Sequence, residues 1–326
     1  MKLLLRRNFL KLAGALIAMP VLPQLASALD YPTRPTKIVA GFAAGGGVDI
    51  TARLIGQWLA DHLGQPFVVE NRTGAGGNIG TETVVNAAPD GYTLLLATVP
   101  NAVNASLYEK LSFNFVRDIA PIASVARQPQ MMLIHPSVPA QSLPEFIAYA
   151  KANAGKINMA SAGNGTPPHM TGELFKMMAG VDLTHVPYRG SGAAIADLLG
   201  GHVQLSFFGP VASMGYIKDG KLRALGVTDR KRLAVLPDVP TVAEQVPGFE
   251  SFSWFGVGAP KGTPSEIVDR LNREISAGLA DPKVSTRIAE LGGEILSGSP
   301  EDFGRLIASE TKKWAQVVKF AGVKAE

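Results

Sequence analysis

Apolar residues along the chain alternate between strand-like runs and helix-like periodicity. Thr36–Phe42 is a β-rich apolar run, and Ile50–Leu63 places its apolar residues on one helical face. The pattern then predicts a strand at Phe67–Glu70, a helix at Ile79–Ala88 and a strand at Tyr92–Thr98. Because near-continuous apolar strands that alternate with helices are typical of a parallel sheet covered on both faces, this half predicts an α/β unit.

The second half of the chain repeats this alternation. It predicts strands at Ile157–Ser161, His185–Tyr188, Val203–Phe208 and Leu222–Thr228, with helices at His169–Ala179 and Ser191–Leu199. After Pro264 the chain is predicted to be helical to its end, in three segments at Ile267–Leu279, Lys283–Leu291 and Pro300–Phe320.

Two extended segments, near residues 127–130 and 250–253, separate the two α/β units. They predict a chain that crosses from one lobe to another and returns. The expected lobes are residues 29–127 plus 252–326, and residues 128–251. Because open α/β sheets bind ligands at the carboxyl ends of their strands, the cleft between the lobes is the expected binding site.

The N-terminal 28 residues differ in composition from the rest. The 326-residue chain has a formal net charge of +4, and this segment holds four basic residues and no acidic one. The remainder is therefore neutral, which gives no basic surface for a nucleic acid. The basic start, the apolar stretch 12–22 and the sequence Ala26-Ser27-Ala28 predict a signal peptide, cleaved near Ala28-Leu29, and a periplasmic protein. The sequence RRNFLK at residues 6–11 matches a twin-arginine export signal, with general secretion as the alternative.

The residue types limit the possible chemistry. The chain has no cysteine, which excludes disulfides, thiolate metal sites and a cysteine nucleophile. Its five histidines are scattered without metal-ligand spacing, so no metal is expected. His169 is expected to cap or pack a helix. Gly190-Ser191-Gly192 lacks the spacing of a serine nucleophile elbow and is expected to begin a helix.

Two strand-to-helix loops are rich in small residues and are the candidate ligand loops. Phe42–Asp49 contains three consecutive glycines, whose N–H groups at a helix N-terminus favour an anion, with Asp49 as a candidate helix cap. Ser161–His169 is the corresponding loop of the second lobe, in which Ser161 and Thr166 offer hydroxyl groups. Both loops predict a site for an anion such as a carboxylate.

A third glycine-rich loop, Gly74–Gly80, raises the alternative of a dinucleotide site. It departs from the G-x-G-x-x-G pattern at Ile79 and follows the second strand, whereas the nucleotide-binding loop usually follows the first. A packed turn or a wall of the cleft is the preferred interpretation. No cofactor is expected, and an exported nucleotide-dependent oxidoreductase stays open as an alternative function.

Several segments resemble the extracytoplasmic substrate-binding proteins of tripartite tricarboxylate transporters, the Bug family. The segments are FAAGGGVDITAR (residues 42–53), NRTGAGGNIG (71–80), PDGYTLL (89–95), TPPHMTGE (166–173) and VPYRGSGAAIADLLGGHV (186–203). The resemblance implies a two-lobed type II periplasmic-binding-protein fold, with each lobe a mostly parallel sheet flanked by helices. It also implies a cleft that closes on a small carboxylate. Gly41 departs from the proline that is common in the family, and Ala193 departs from another.

The resemblance also implies which residues hold the ligand and what the protein partners are. The protein is expected to be a monomeric receptor, not an enzyme, that delivers its ligand to membrane subunits of such a transporter. A receptor that reports to a sensor kinase is the alternative. The expected ligand-binding residues are Phe42, Ala44, Gly45, Gly46, Asp49, Thr98, Ser161, Gly163, Gly165, Thr166, Tyr188 and Gly209.

Overall fold

A computed structural model describes residues 30–325 of the chain, and its strands and helices all belong to the compact unit that begins at Pro32. The predicted signal peptide lies outside the described residues, so both the peptide and its export route stay predictions. Within the described part, every helix is too short or too polar to span a bilayer.

The strands and helices alternate as the sequence predicts. The strands are β1 (Thr36–Ala40), β2 (Phe67–Asn71), β3 (Thr93–Thr98), β4 (Ile119–Pro129), β5 (Met131–Ile134), β6 (Asn158–Ser161), β7 (Thr184–Pro187), β8 (Leu205–Phe208), β9 (Arg223–Val227), β10 (Phe252–Pro260) and β11 (Glu294–Ile295). The α-helices are α1 (Gly47–Leu63), α2 (Asn78–Val85), α3 (Val99–Leu107), α4 (Phe115–Asp118), α5 (Leu143–Ala152), α6 (Pro167–Ala179), α7 (Ser191–Leu199), α8 (Pro210–Lys218), α9 (Ser265–Ala280), α10 (Pro282–Glu290) and α11 (Pro300–Ala321).

The strands form two sheets that are flanked by helices, which confirms the predicted fold class. A six-stranded sheet has the order β11-β4-β10-β3-β1-β2, and a five-stranded sheet has the order β7-β6-β8-β5-β9. The expectation that each sheet is mostly parallel is wrong. Strand β1 pairs parallel with β2 and β3, and β6 pairs parallel with β7 and β8, but every other pair is antiparallel.

The antiparallel pairs arise where the chain passes from one sheet to the other. Strand β4 leads out of the first sheet into β5 of the second, and β10 returns beside β4 in the opposite direction. The first sheet is therefore built from strands within residues 36–129 and 252–295, and the second from strands within residues 131–227. The lobe boundaries that the sequence predicts, at 127/128 and 251/252, stay predictions.

Helices α3, α4, α5 and α8 are absent from the sequence prediction. Helix α3 begins directly after β3 and buries Asn101 and Asn104, so its buried face does not read as apolar. Helix α8 has its apolar residues spread around the axis, which leaves no amphipathic pattern to detect. The prediction of a wholly helical end is also wrong, because the short strand β11 pairs with β4.

The C-terminal helix α11 packs against the first sheet around a buried carboxylate. The indole nitrogens of Trp254 and Trp314 donate hydrogen bonds to Glu310 at 3.3 and 2.9 Å, and Lys313 lies 2.5 Å from the same carboxylate. Phe303 meets Trp254 edge to face, with ring centroids 5.8 Å apart. This cluster attaches the last helix to strand β10, which also carries residues of the ligand site.

Gly256 in β10 leaves the space that the Phe303 ring fills. A Cβ at this position would lie 2.2 Å from the ring of Phe303. We expect Gly256→Ala to lower the free energy of unfolding by about 1–3 kcal/mol, because an overpacked core must shift side chains or backbone. Chemical denaturation measures this loss.

The matched control is Gly215→Ala in helix α8, where no atom lies within 4 Å of the added Cβ. This variant is expected to keep or raise the stability, since alanine favours a helix more than glycine does. Equal stability of the two variants would contradict the packing role of Gly256.

Candidate ligand-binding site

A cavity of about 550 Å³ lies where residues of the two sheets meet. The first sheet supplies Phe42 after β1 and Thr98 at the end of β3, while the second supplies Thr166 after β6 and Gly209 after β8. The segment Gln128–Gln130, at the junction of β4 and β5, also lines the cavity. Its volume lies in the range of small-molecule sites.

The N-terminal ends of five helices line this cavity. The lining residues at these ends are Gly46–Val48 for α1, Thr98 and Pro100 for α3, Thr166–Pro168 for α6, Gly190 and Ser191 for α7, and Gly209 and Ala212 for α8. A helix N-terminus carries a partial positive charge and unpaired N–H groups, which stabilise a bound anion. Two of these helices follow strands of the first sheet and three follow strands of the second, so both sides of the cavity favour an anion.

The side chains that line the cavity are neutral. Among residues 30–325, no aspartate, glutamate, lysine, arginine or histidine is part of the lining. Four phenylalanines, Phe42, Phe207, Phe208 and Phe255, line it instead. The cavity therefore offers partial charges of the backbone for an anionic group and phenyl rings for an apolar body.

The Asp49 side chain fixes the conformation of the first glycine loop, Phe42–Asp49. The Asp49 carboxylate accepts hydrogen bonds from the Gly45 N–H at 2.9 Å and from the Asn71 amide at 3.0 Å, and it pairs with Arg53 at 2.9 Å. These contacts, that with Arg53 foremost, lower the pKa of Asp49 to about 2. Gly46, not Asp49, occupies the N-cap position of α1. Asp49 thus shapes the loop and is not among the residues that line the cavity.

The second loop is held by hydrogen bonds within itself and by two stacked histidines. The Ser161 hydroxyl lies 2.6 Å from His185 Nε2, and His169 Nδ1 accepts a hydrogen bond from the Gly165 N–H at 3.0 Å. The imidazole rings of His169 and His185 stack with centroids 3.7 Å apart. The Thr166 hydroxyl donates to the Gly163 carbonyl at 2.6 Å, which closes the loop.

The pKa values of the two histidines are lowered, because His169 is buried and His185 is half-buried. Burial, followed by the charge of the neighbouring imidazole and of Lys176, lowers the pKa of His169 to about 3. Burial, with a smaller effect of Lys176, lowers the pKa of His185 to about 4. Glu173, which is 3.8 Å from His169 Nε2 and 3.0 Å from Lys176, is also buried, and its pKa is raised. A serine beside a histidine suggests a nucleophile, but Ser161 is fully buried and lies outside the cavity lining.

Tyr188 supports helix α7 rather than lining the cavity. Its hydroxyl donates to Asp197 at 2.6 Å, and its N–H donates to the carbonyl of Ser161 at 3.0 Å. Burial, followed by the bond to Asp197, raises the pKa of Tyr188 to about 12. The contact ties Tyr188, which precedes α7, to Asp197 in the last turn of that helix.

The structure brings five of the expected ligand-binding residues to the cavity. These are Phe42, Gly46, Thr98, Thr166 and Gly209. The other seven are not part of the lining: Ala44, Gly45, Asp49, Ser161, Gly163, Gly165 and Tyr188. A ligand-binding role for any of the twelve stays a prediction.

Sequence reasoning missed the lining residues that come from the crossings. Gln128, Pro129 and Gln130 lie at the β4–β5 junction, and Ser253 and Phe255 lie at the start of β10. The sequence signal for these residues was the pair of extended segments near residues 127–130 and 250–253. A strand that crosses between two lobes passes the floor of the cleft, so its residues are candidates for ligand contact.

The third glycine loop is a packed turn, in agreement with the interpretation that its sequence favours. A Cβ on Gly80 would lie 2.9 Å from the Cα of Gly41, and a Cβ on Gly41 would lie 3.0 Å from the Cα of Gly77. Glycine at position 41 therefore allows two loops to pack backbone to backbone. Gly74–Gly80 is absent from the cavity lining. Within residues 30–325, no group of three or more histidine, aspartate or glutamate side chains has the arrangement of a metal site.

Known proteins share this fold, and their sequences are similar to this one over most of its length. The model of the tripartite tricarboxylate transporter family receptor matches residues 51–323. Protein BugT of Bordetella pertussis is 39% identical over 316 residues, which are 96% of this chain and 95% of BugT. Rpa4515 of R. palustris, solved with adipate, is 38% identical with a TM-score of 0.77 and covers 90% of this chain and 98% of its own.

A third relative is MatC of Rhodopseudomonas palustris, solved with bound malate. It is 34% identical, with a TM-score of 0.74, and the match covers 88% of this chain and 100% of MatC. The fold and the cleft define a solute-binding protein of the periplasmic-binding-protein class. This chain belongs to the tripartite tricarboxylate transporter receptor family, the Bug family.

The neutral histidine pair predicts a loss of stability in acid. A histidine has a pKa near 6.5 when it is unperturbed, and folding lowers the values for His169 and His185. The unfolded chain therefore binds more protons below pH 6.5, and the free energy of unfolding falls as the pH falls toward 4. Each histidine contributes a slope that approaches about 1.4 kcal/mol per pH unit.

His185→Gln is expected to reduce this slope between pH 6.5 and 4.5, as measured by urea denaturation at each pH. His202→Gln, at an exposed position, is the matched control and should keep the slope of the wild-type protein. An unchanged slope in His185→Gln would show that the pair does not titrate on unfolding.

Proposed function

We propose that this protein captures a small organic carboxylate in the periplasm and delivers it to the membrane subunits of a tripartite tricarboxylate-type transporter. The observation that carries the proposal is the convergence of five helix N-termini, from both sheets, on a cavity with a neutral lining. The proposal also includes the absence of enzymatic activity, since the family is one of solute receptors.

The site favours an anion over a cation for an electrostatic reason. A carboxylate that enters the cavity exchanges water for backbone N–H groups and for the positive ends of helices. A cation or a metal ion meets the same positive ends, and no ionised acid among the described residues lines the cavity to offset them. The phenylalanines then favour a ligand whose remaining atoms are mostly apolar.

The two sides of the cavity also support a ligand with two polar ends. Helices α1 and α3 present their N-termini from the first sheet, and α6, α7 and α8 present theirs from the second. Adipate and malate, the ligands in the two related structures, are both dicarboxylates. A dicarboxylate with an aliphatic middle matches a cavity that is electropositive at both sides and lined by phenyl rings.

Carboxylate binding is tested by thermal-shift and calorimetric titration with mono-, di- and tricarboxylates. A ligand at 100 times its Kd is expected to stabilise the protein by about 2.7 kcal/mol. Gly46→Val places bulk in the lining, where the nearest atom to an added Cβ is the carbonyl oxygen of Ala43 at 3.5 Å. We expect a more than tenfold weaker affinity and little change in melting temperature.

Gly163→Val is a poorer test, because φ of +125° at Gly163 disfavours any side chain. Gly215→Ala, outside the cavity lining, is the control for Gly46→Val and should bind like the wild-type protein. A thermal shift with cations only, or loss of binding on treatment with a chelator, would contradict the proposal of a carboxylate receptor.

Ligand contacts on both sides of the cavity predict closure on binding. The crossings near Gln128 and Phe252 are the proposed hinge, since Pro129 pairs with Phe252 where the chain passes between sheets. A ligand shifts an open–closed equilibrium by its difference in affinity for the two states. Solution X-ray scattering should show a smaller radius of gyration at saturation. Identical scattering profiles and interlobe spin-label distances with and without ligand would exclude closure.

Delivery to a transporter is tested in cells. Deletion of the gene should abolish uptake of the radiolabelled ligand, and the wild-type gene should restore uptake while the Gly46→Val gene should not. Normal uptake, with loss of only a transcriptional response to the ligand, would favour a receptor for a sensor kinase.

A further inference from the structure

One polar side chain of the cavity lining is buried and unsatisfied. Gln130 is only 4% exposed, lies in the lining, and its Oε1 atom has no hydrogen-bond partner. Buried side-chain oxygens in folded proteins are almost always paired, so an orphaned one calls for an explanation. In the lining of a ligand cavity, the natural explanation is a partner supplied by the ligand.

The backbone of Gln130 is held firmly, which fixes where the side chain begins. Its N–H donates to the Thr228 hydroxyl at 2.8 Å, and its carbonyl accepts from the N–H of Thr228 at 2.9 Å and from the hydroxyl at 3.0 Å. Thr228 directly follows β9 of the second sheet, so this contact joins the first crossing to that sheet. The orphaned oxygen is therefore not explained by a loosely held chain.

Neighbouring polar groups of the lining already have partners in the protein. The Gln128 amide donates to the carbonyl of Leu291 at 2.8 Å, and the Thr166 hydroxyl donates to Gly163 at 2.6 Å. The carboxamide of Gln130 carries an acceptor and two donors without a net charge. Its unpaired atom is the acceptor Oε1, so the ligand group that would complete it is a hydroxyl, and the neutral carboxamide leaves the electrostatic preference of the cavity unchanged.

We propose that Gln130 is a specificity-determining residue whose Oε1 accepts a hydrogen bond from a hydroxyl group of the ligand. The helix N-termini hold the carboxylate, and Gln130 selects acids that carry a hydroxyl group at a fixed distance from it. The site thereby discriminates against acids of the same carbon skeleton that lack the hydroxyl group. This assignment rests on the proposed function of carboxylate binding.

The test combines removal of the side-chain amide with removal of the ligand group. Gln130→Met keeps the length of the side chain and removes its hydrogen bonds. Malate and succinate share a four-carbon dicarboxylate skeleton, and succinate lacks the hydroxyl group. Calorimetric titration should show that malate binds the wild-type protein more tightly than succinate, that Gln130→Met weakens malate at least tenfold, and that the affinity for succinate changes less than about twofold.

Gln57→Met, the same change at an exposed position of α1, is the matched control and should bind both acids like the wild-type protein. An equal loss for both acids, no loss for malate, or equal affinity of the wild-type protein for the hydroxylated and the plain acid would overturn the role of Gln130 while leaving carboxylate binding intact. If the wild-type protein binds neither these acids nor the matched pair of 2-hydroxyglutarate and glutarate, the proposed function fails, and the assignment fails with it.

A second variant keeps the test decisive if Gln130→Met does not fold. Gln130→Asn retains the carboxamide but withdraws it by one methylene. The preference for malate over succinate should then fall at least tenfold, while the affinity for succinate is kept. The same preference in the wild-type protein and in Gln130→Asn would overturn the proposal.

Discussion

The antiparallel pairing of β4 with β10 is the constraint on which the rest of the structure depends. These strands carry the chain between the sheets in opposite directions, and Gln128 pairs with Ser253 at the point of crossing. Arg127 braces the crossing, since it pairs with the buried Asp229 of the second lobe at 2.5 Å and with Glu294 of β11 at 3.3 Å. The pairing sets both sheets around one cavity and supplies part of its floor.

A neutral lining suits the proposed carboxylate ligand if backbone N–H groups, and not charged side chains, bind it. A charged side chain next to a buried ligand loses hydration, and its long rotamers must be ordered. Backbone N–H groups at helix N-termini are already ordered and carry only partial charge, so they bind an anion with less reorganisation. The charged residues near the cavity, such as Asp49, act one step away by fixing the shape of a loop.

The two ligand loops are fixed by different chemistry for the same purpose. An ionised carboxylate with a low pKa holds the first loop, and a pair of neutral stacked imidazoles holds the second. Both arrangements accept a hydrogen bond from a glycine N–H, from Gly45 and Gly165 respectively. The remaining glycine N–H groups are thereby oriented in advance.

The sequence by itself determined the alternation of strands and helices, the two crossings and the two loops of small residues, because apolar periodicity and glycine placement are local properties. It did not reveal α3, whose buried asparagines hide its core face, or the antiparallel crossing strands, since strand direction depends on pairing across the whole chain. Gln130, Phe207 and Phe255 join the cavity only through the tertiary structure. A residue lines a cleft according to where distant strands end, and that position is a property of the assembled sheets.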